Sequence, residues 1–368
     1  MKTYFTHAGW TGGVAQICNL PYRGFLIRRM SVLLAALKSG CALPNAIRRY
    51  SRLQSCATHP QFMGMREART LSGGIRLAVG LTSFFLAGHL AAAPLPVGFG
   101  KMEVGSGTNA ITVFTYKPKT CTNGPLVVVF HGMLRNADLY CSNAVPLAER
   151  FNVLIVAPMF DTNRFSNDEY SRGGVIKKGV IQPREHWTYA RLPGIINAVR
   201  EREGQPALPY YFIGHSGGGQ FLMRLAALYP MEAKRIVAAN PGSDLFPRRD
   251  WQFGYGFGGL SKELSDDAAL QRYLAAPLTL YLGLADNDPN HFELDRSAAA
   301  ELEGKFRLER GRTCFDYAQK LAQERGWKFN WRKVEVADIA HDGKGMLAAR
   351  EVEEALFGGE NSGTVKTR

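Results

Sequence analysis

Three residue types that together make a serine nucleophilic occur in this chain in the order serine, carboxylate, histidine, each close behind an apolar run. Residues 210–219 read YYFIGHSGGG: an apolar strand runs into Gly214-His215-Ser216-Gly217-Gly218, and a helix begins near Gln220. A serine held on so sharp a strand-to-helix turn needs neighbours without side-chain bulk two positions away on either side, and Gly214 and Gly218 supply that room. The turn also sets Ser216 at a helix N-terminus, where backbone N–H groups and the positive end of the dipole favour a developing oxyanion. A glycine-rich turn with an incidental serine would read the same locally. What separates the two is whether an acid and a base follow.

Serine is a poor nucleophile without a base, and both partners are present. LTLYLGLAD (278–286) ends in Asp286, a carboxylate just past a buried strand, suited to orient an imidazole and stabilise its protonated form. Asp288 could do the same work, although Asp288-Pro289 also reads as a simple turn. His341 follows the last apolar run, in VADIAHDG (336–343). A fourth part is His131-Gly132-Met133, directly after LVVVF. A loop there supplies one oxyanion N–H, from Met133, and the residue after the nucleophile, Gly217, supplies the other, each through its backbone. His131 reads as structural, beneath that loop. His215 reads as packing against or tuning the turn, and His186 and His291 fall outside these motifs.

These residues need a scaffold that gathers strand ends. From Ile111 onward, strand-like runs at 111–118, 125–132, 153–160, 210–213, 235–242, 278–286 and 329–341 alternate with helical patterns at 136–150, 187–203, 220–230, 297–325 and 345–357. Continuous β-branched runs between helices predict an α/β fold: a mainly parallel central sheet with helices on both faces, its chemistry beyond the carboxyl ends of the strands. The first two strands are joined through a turn at Thr122-Asn123-Gly124. No repeat or linker divides residues 94–368, which read as one domain with a polar, frayed tail from Glu360.

The formal charge of +13 is unevenly placed: eleven Lys/Arg and one acid precede position 94, leaving 34 bases and 31 acids in the rest. No nucleic-acid partner is implied. Residues 75–93, IRLAVGLTSFFLAGHLAAA, have arginines before them, an apolar centre and a small-residue end, so 63–93 read as a signal peptide, with a membrane anchor as the competing reading. The protein is then secreted or periplasmic, and meets a membrane only if that segment stays uncleaved. Residues 1–62 lack sustained amphipathic patterning and read as a non-native or disordered extension outside the working protein. Cys121 and Cys141 could form a disulfide after export, leaving Cys314 buried or free. The cysteine spacings match no zinc site, and no cofactor or metal is called for.

Taken together, HGM, GHSGGGQF, GLADND and the terminal AHDG resemble the serine hydrolases of the α/β-hydrolase superfamily. Within it they are similar to secreted esterases of the polyhydroxybutyrate depolymerase and feruloyl esterase type, over roughly residues 110 to 358. The resemblance implies an acyl-enzyme route on a small-molecule or polymer-derived ester, with Ser216 attacking, His341 as base, Asp286 orienting it, and Met133 and Gly217 holding the oxyanion. A serine peptidase or amidase with the same residues, and a noncatalytic binding protein on the same fold, are the alternatives. Two segments could shape a substrate site. RRDWQFGYGFGGL (248–260) reads either as a mobile aromatic flap or as an ordered loop packing Trp251 and Phe257 on the core, and 162–182 carries Arg164, Arg172, Lys177 and Lys178.

Overall fold

The computed structural model describes residues 93–358. The expected signal segment and the extension before it, up to residue 92, and the tail from 359 lie outside the described residues. Ten strands run in chain order: β1 Gly98–Val104, β2 Ile111–Lys117, β3 Leu126–Phe130, β4 Leu154–Pro158, β5 Ile176–Lys177, β6 Val180–Ile181, β7 Tyr210–His215, β8 Ile236–Ala239, β9 Leu278–Gly283 and β10 Arg332–Val336. Eight form one sheet in the order β1-β2-β4-β3-β7-β8-β9-β10. It is parallel from β4 through β10, while β1 and β2 are antiparallel.

Burial on both faces explains the unbroken apolar runs of the central strands. In β3, Leu126, Val128 and Phe130 point into one core, shared with the helices Leu192–Arg202, Gly217–Leu228 and Arg307–Arg325. Val127 and Val129 point into the other, with the helices Ala137–Asn143, Gly343–Ala348 and Val352–Phe357. The same division corrects the disulfide expectation. Cys121 lies in the first core and Cys141 in the second, and both are free thiols, as is Cys314.

The strands β2 and β3 follow one another through the predicted turn yet do not pair: β4 lies between them, antiparallel to β2 and parallel to β3. An all-apolar strand such as LVVVF needs a neighbour on each side and cover on each face, which a terminal hairpin would not provide. β1 escaped the sequence reading because GFGKMEV is an edge strand with mostly exposed positions. The helix expected over 136–150, with Pro146 as its candidate break, is two helices, the second opening with Pro146 in its first turn, where a missing N–H costs nothing. The stretch 297–325 also divides, into Ala298–Glu301 and Arg307–Arg325. Among the described residues no helix is long and apolar enough to cross a membrane.

Candidate active site

Ser216 has φ 56° and ψ −115°, a left-handed-side conformation that costs a residue with a side chain on the order of 1–3 kcal/mol. The turn is held by the Ser216 N–H, which donates to the Ala239 carbonyl of β8 at 3.0 Å, and by packing that leaves no space on either side. A Cβ on Gly218 would lie 2.5 Å from the Phe130 carbonyl oxygen and 2.8 Å from that of His131; one on Gly214 would lie 2.6 Å from the Gly218 carbonyl. All three obstacles are backbone, which cannot turn aside. Gly218→Ala is therefore expected to cost about 3 kcal/mol or more, read as a lowered midpoint in urea unfolding.

The Gly132–Met133 peptide is aimed by its carbonyl. Gly132 O accepts from His131 Nδ1–H at 2.9 Å and from the Arg135 N–H at 3.2 Å. In a trans peptide the N–H points opposite the C=O, so pinning that oxygen turns the Met133 N–H the other way. A Cβ built on Gly217 would sit 3.3 Å from the Met133 nitrogen, so the two backbone N–H groups are neighbours. His131 is fully buried, accepts the Phe160 N–H on Nε2 at 3.1 Å, and therefore carries its proton on Nδ1. Burial holds its pKa down at about 4, which keeps the ring neutral beneath the loop.

His341 follows β10, and its ring bridges two strand ends. Nε2 accepts from the Ser216 hydroxyl at 3.0 Å, and Nδ1–H donates to Asp286 Oδ2 at 2.7 Å. Asp286 and His341 are almost wholly inaccessible to water, with side-chain exposures of 4% and 5%. Asp288 stands outside this line: it is exposed and accepts the Asn290 N–H in a local turn. His186 lies exposed on a short 3-10 turn, away from these residues. His215 is buried with its ring centroid 4.5 Å from that of His341 and its Nδ1 3.0 Å from the Tyr140 hydroxyl. Burial and the neighbouring His341 push its pKa well below the ordinary histidine range.

Three residues join the site that sequence reasoning did not place there. Arg307, 2% exposed, sets Nη1 3.3 Å from Asp286 Oδ1, so the carboxylate accepts from a cation on one side and from imidazole on the other. Asn240 receives the Gly283 N–H on Oδ1 at 2.7 Å and donates from Nδ2 to the Ala340 carbonyl at 3.0 Å. It ties the strand that leads to Asp286 to the loop that carries His341. Its φ of 39° is a conformation asparagine tolerates better than most residues. His291 packs edge-on against the His341 ring, centroids 5.4 Å apart. Only His291 carried any signal, as a histidine near an acid-bearing strand end; an arginine in a charged helix and an asparagine before Pro241 carry none.

Most of the two substrate-shaping segments is committed to the protein itself, while Lys178 is exposed. Phe257 is buried in the core, Trp251 packs on Phe246, and Arg224, fully buried, donates to the carbonyls of Ser243 and Gly254. The 248–260 segment is thus the ordered loop and not a flap. Arg164 is paired with Asp161, Arg172 with Asp168, and Lys177 with Glu169. Among the described residues no group of three or more His, Cys, Asp or Glu could hold a metal ion.

The fold is that of the α/β-hydrolase superfamily, and solved structures agree. The poly(aspartic acid) hydrolase-1 of Sphingomonas sp. KT-1 is 33% identical with a TM-score of 0.65, covering 68% of this chain and 96% of its own. A poly(3-hydroxybutyrate) depolymerase from Bordetella parapertussis is 31% identical with a TM-score of 0.62, covering 68% of this chain and 88% of its own. No protein-family model and no curated protein matches the chain. This chain belongs to the α/β-hydrolase superfamily and is an enzyme of the hydrolase kind.

Proposed function

We propose that this protein is an exported serine hydrolase that cleaves carboxylic esters, small or polymer-derived, through an acyl-enzyme intermediate. The observation that carries the reading is the continuous line Ser216 Oγ, His341 Nε2, His341 Nδ1, Asp286 Oδ2, with contacts of 3.0 and 2.7 Å. As Ser216 Oγ attacks the ester carbonyl, its proton passes to His341 Nε2, and Asp286 stabilises the imidazolium. The tetrahedral oxyanion lies against the Met133 and Gly217 N–H groups. Collapse breaks the bond to the alcohol oxygen, which takes the proton from His341. Water then attacks the acyl-enzyme, His341 accepts its proton and returns one to Ser216 Oγ, and the acid leaves. The same residues would cleave an amide, and the likeness to a poly(aspartic acid) hydrolase makes that the second reading.

The test is hydrolysis of p-nitrophenyl acetate and butyrate beside labelling with a fluorophosphonate, the modified residue located by mass spectrometry. Turnover with the label on Ser216 supports the reading; folded protein with neither removes it. Export is supported by the composition of 63–93, and N-terminal sequencing of protein recovered from the periplasm or medium should find a start near Pro94.

Asn240 gives a sharper test of geometry. Asn240→Asp keeps the acceptor for Gly283 but sets an oxygen against the Ala340 carbonyl in place of a donor. The resulting shift of the His341 loop is expected to lower kcat about 10²-fold while leaving KM little changed. Steady-state kinetics on p-nitrophenyl butyrate reads the split.

A further inference from the structure

The loop after β9, Asp286 to Asp295, contains two residues that neither the core nor the reaction above uses. His291 is partly exposed and lies against the catalytic imidazole. Phe292 is 87% exposed and stacks on His291, with ring centroids 5.0 Å apart and planes 24° from parallel. The exposed ring is thus held, through His291, within reach of a molecule bound at His341.

The hydrogen bonds of His291 settle which nitrogen carries its proton. Nδ1 lies 3.3 Å from Arg307 Nη2 and 3.3 Å from the Glu293 backbone nitrogen. A guanidinium and a backbone N–H can only donate, so Nδ1 must accept and the proton sits on Nε2. Nε2 has no hydrogen-bond partner among the described residues. Partial burial, the Arg307 charge and the neighbouring His341 lower the proton affinity of this ring, against a smaller opposing pull from Asp286 and Glu293. The loop is also pinned: the His291 N–H donates to Asp288 O, Leu294 N–H donates to His291 O, and Leu294 is buried. Arg307 holds both His291 and Asp286, so a single cation sets the subsidiary ring relative to the acid of the reaction.

We infer that His291 and Phe292 form a substrate subsite beside the catalytic imidazole that takes a neighbouring unit of a neutral oligoester. The inference rests on the serine-esterase reading. His291 Nε2–H donates to a carbonyl oxygen of that unit, and the Phe292 ring covers its apolar part. The loop is acidic on balance, which disfavours a polyanion: residues 286 to 296 carry four carboxylates, Asp286, Asp288, Glu293 and Asp295, against one exposed arginine, Arg296. Asp286 is held by Arg307 and Asp295 by Tyr255, leaving Asp288 and Glu293 exposed toward any arriving chain.

The experiment compares kcat/KM for a linear trimer of 3-hydroxybutyrate with kcat/KM for p-nitrophenyl acetate, which is too short to fill two units. Wild type, His291→Ala, His291→Gln and Phe292→Ala are measured on the full protein, with oligo-aspartate as a third substrate. The trimer-to-acetate ratio should fall about tenfold in His291→Ala and in Phe292→Ala, through KM for the trimer, and His291→Gln, which keeps an N–H donor, should recover part of it. An unchanged ratio in both alanine variants overturns the subsite while leaving the esterase reading intact. So does faster turnover of oligo-aspartate than of the trimer by the wild type. Wild-type protein that neither hydrolyses p-nitrophenyl acetate nor labels at Ser216 overturns the esterase reading itself, and the subsite with it.

Discussion

Ser216→Ala is expected to lower kcat/KM for p-nitrophenyl butyrate by about 10⁴- to 10⁶-fold, with no comparable change in stability. The size follows from what is removed. On the proposed mechanism, without Oγ no acyl-enzyme forms, and what remains is water attacking a carbonyl still held by the Met133 and Gly217 amides. The backbone at position 216 keeps its positive φ in the variant, where the alanine N–H still donates to the Ala239 carbonyl and its C=O still accepts from the Gln220 N–H. The unfolding midpoint should therefore move by no more than about 1 kcal/mol in free-energy terms. Rates of the variant and the parent, measured in the same preparation as their urea melts, decide the matter. A variant retaining a tenth of the activity would mean that the nucleophile lies elsewhere.

Asp286→Asn should damage activity and stability together, for a reason visible in the carboxylate's two partners. Oδ2 accepts from His341 Nδ1–H and Oδ1 accepts from Arg307 Nη1, so donors approach from both sides. An amide has one acceptor oxygen. Whichever way it turns, an NH₂ group meets a donor, and if it meets His341 the ring is driven to the tautomer that cannot take the serine proton. A loss of about 10⁴-fold in kcat is expected. Arg307 also loses its counter-charge at 2% exposure, which costs about 3–5 kcal/mol and lowers Tm by roughly 10 °C. Adding Arg307→Met to Asp286→Asn removes the unpaired cation and should return most of the stability and none of the activity. Asp288→Asn, exposed and outside the line, serves as the comparison. Equal losses in the two single carboxylate variants would move the acid role away from Asp286.

The sheet was legible because burial on both faces leaves a mark that survives in one dimension: LVVVF and LIVAP are apolar without alternation, and each is a central strand. Edges and breaks were not. GFGKMEV alternates weakly and carries glycines, and the interruption between Glu301 and Arg307 looks like continuous helix until tertiary packing draws Glu303 and Arg307 inward. The flap reading of 248–260 failed for a similar cause. Glycines interleaved with aromatics suggest mobility, but here they let the chain fold tightly over the buried Arg224 guanidinium.

By itself the sequence determined the residue types and their order: a serine between glycines that tolerate no Cβ, a carboxylate and a histidine past later strands, and a His-Gly-Met loop after β3. These are local requirements of backbone space and of strand-end position, so they are written in neighbouring residues. The tertiary structure alone decided that Arg307 shares the carboxylate with His341, that Asn240 fastens the loop of one to the strand of the other, and that Arg307 donates to His291 Nδ1 beside the His341 ring. Each of these depends on donors and acceptors from distant segments meeting within hydrogen-bond distance, and a donor's direction has no meaning in a sequence until packing fixes both ends of the bond.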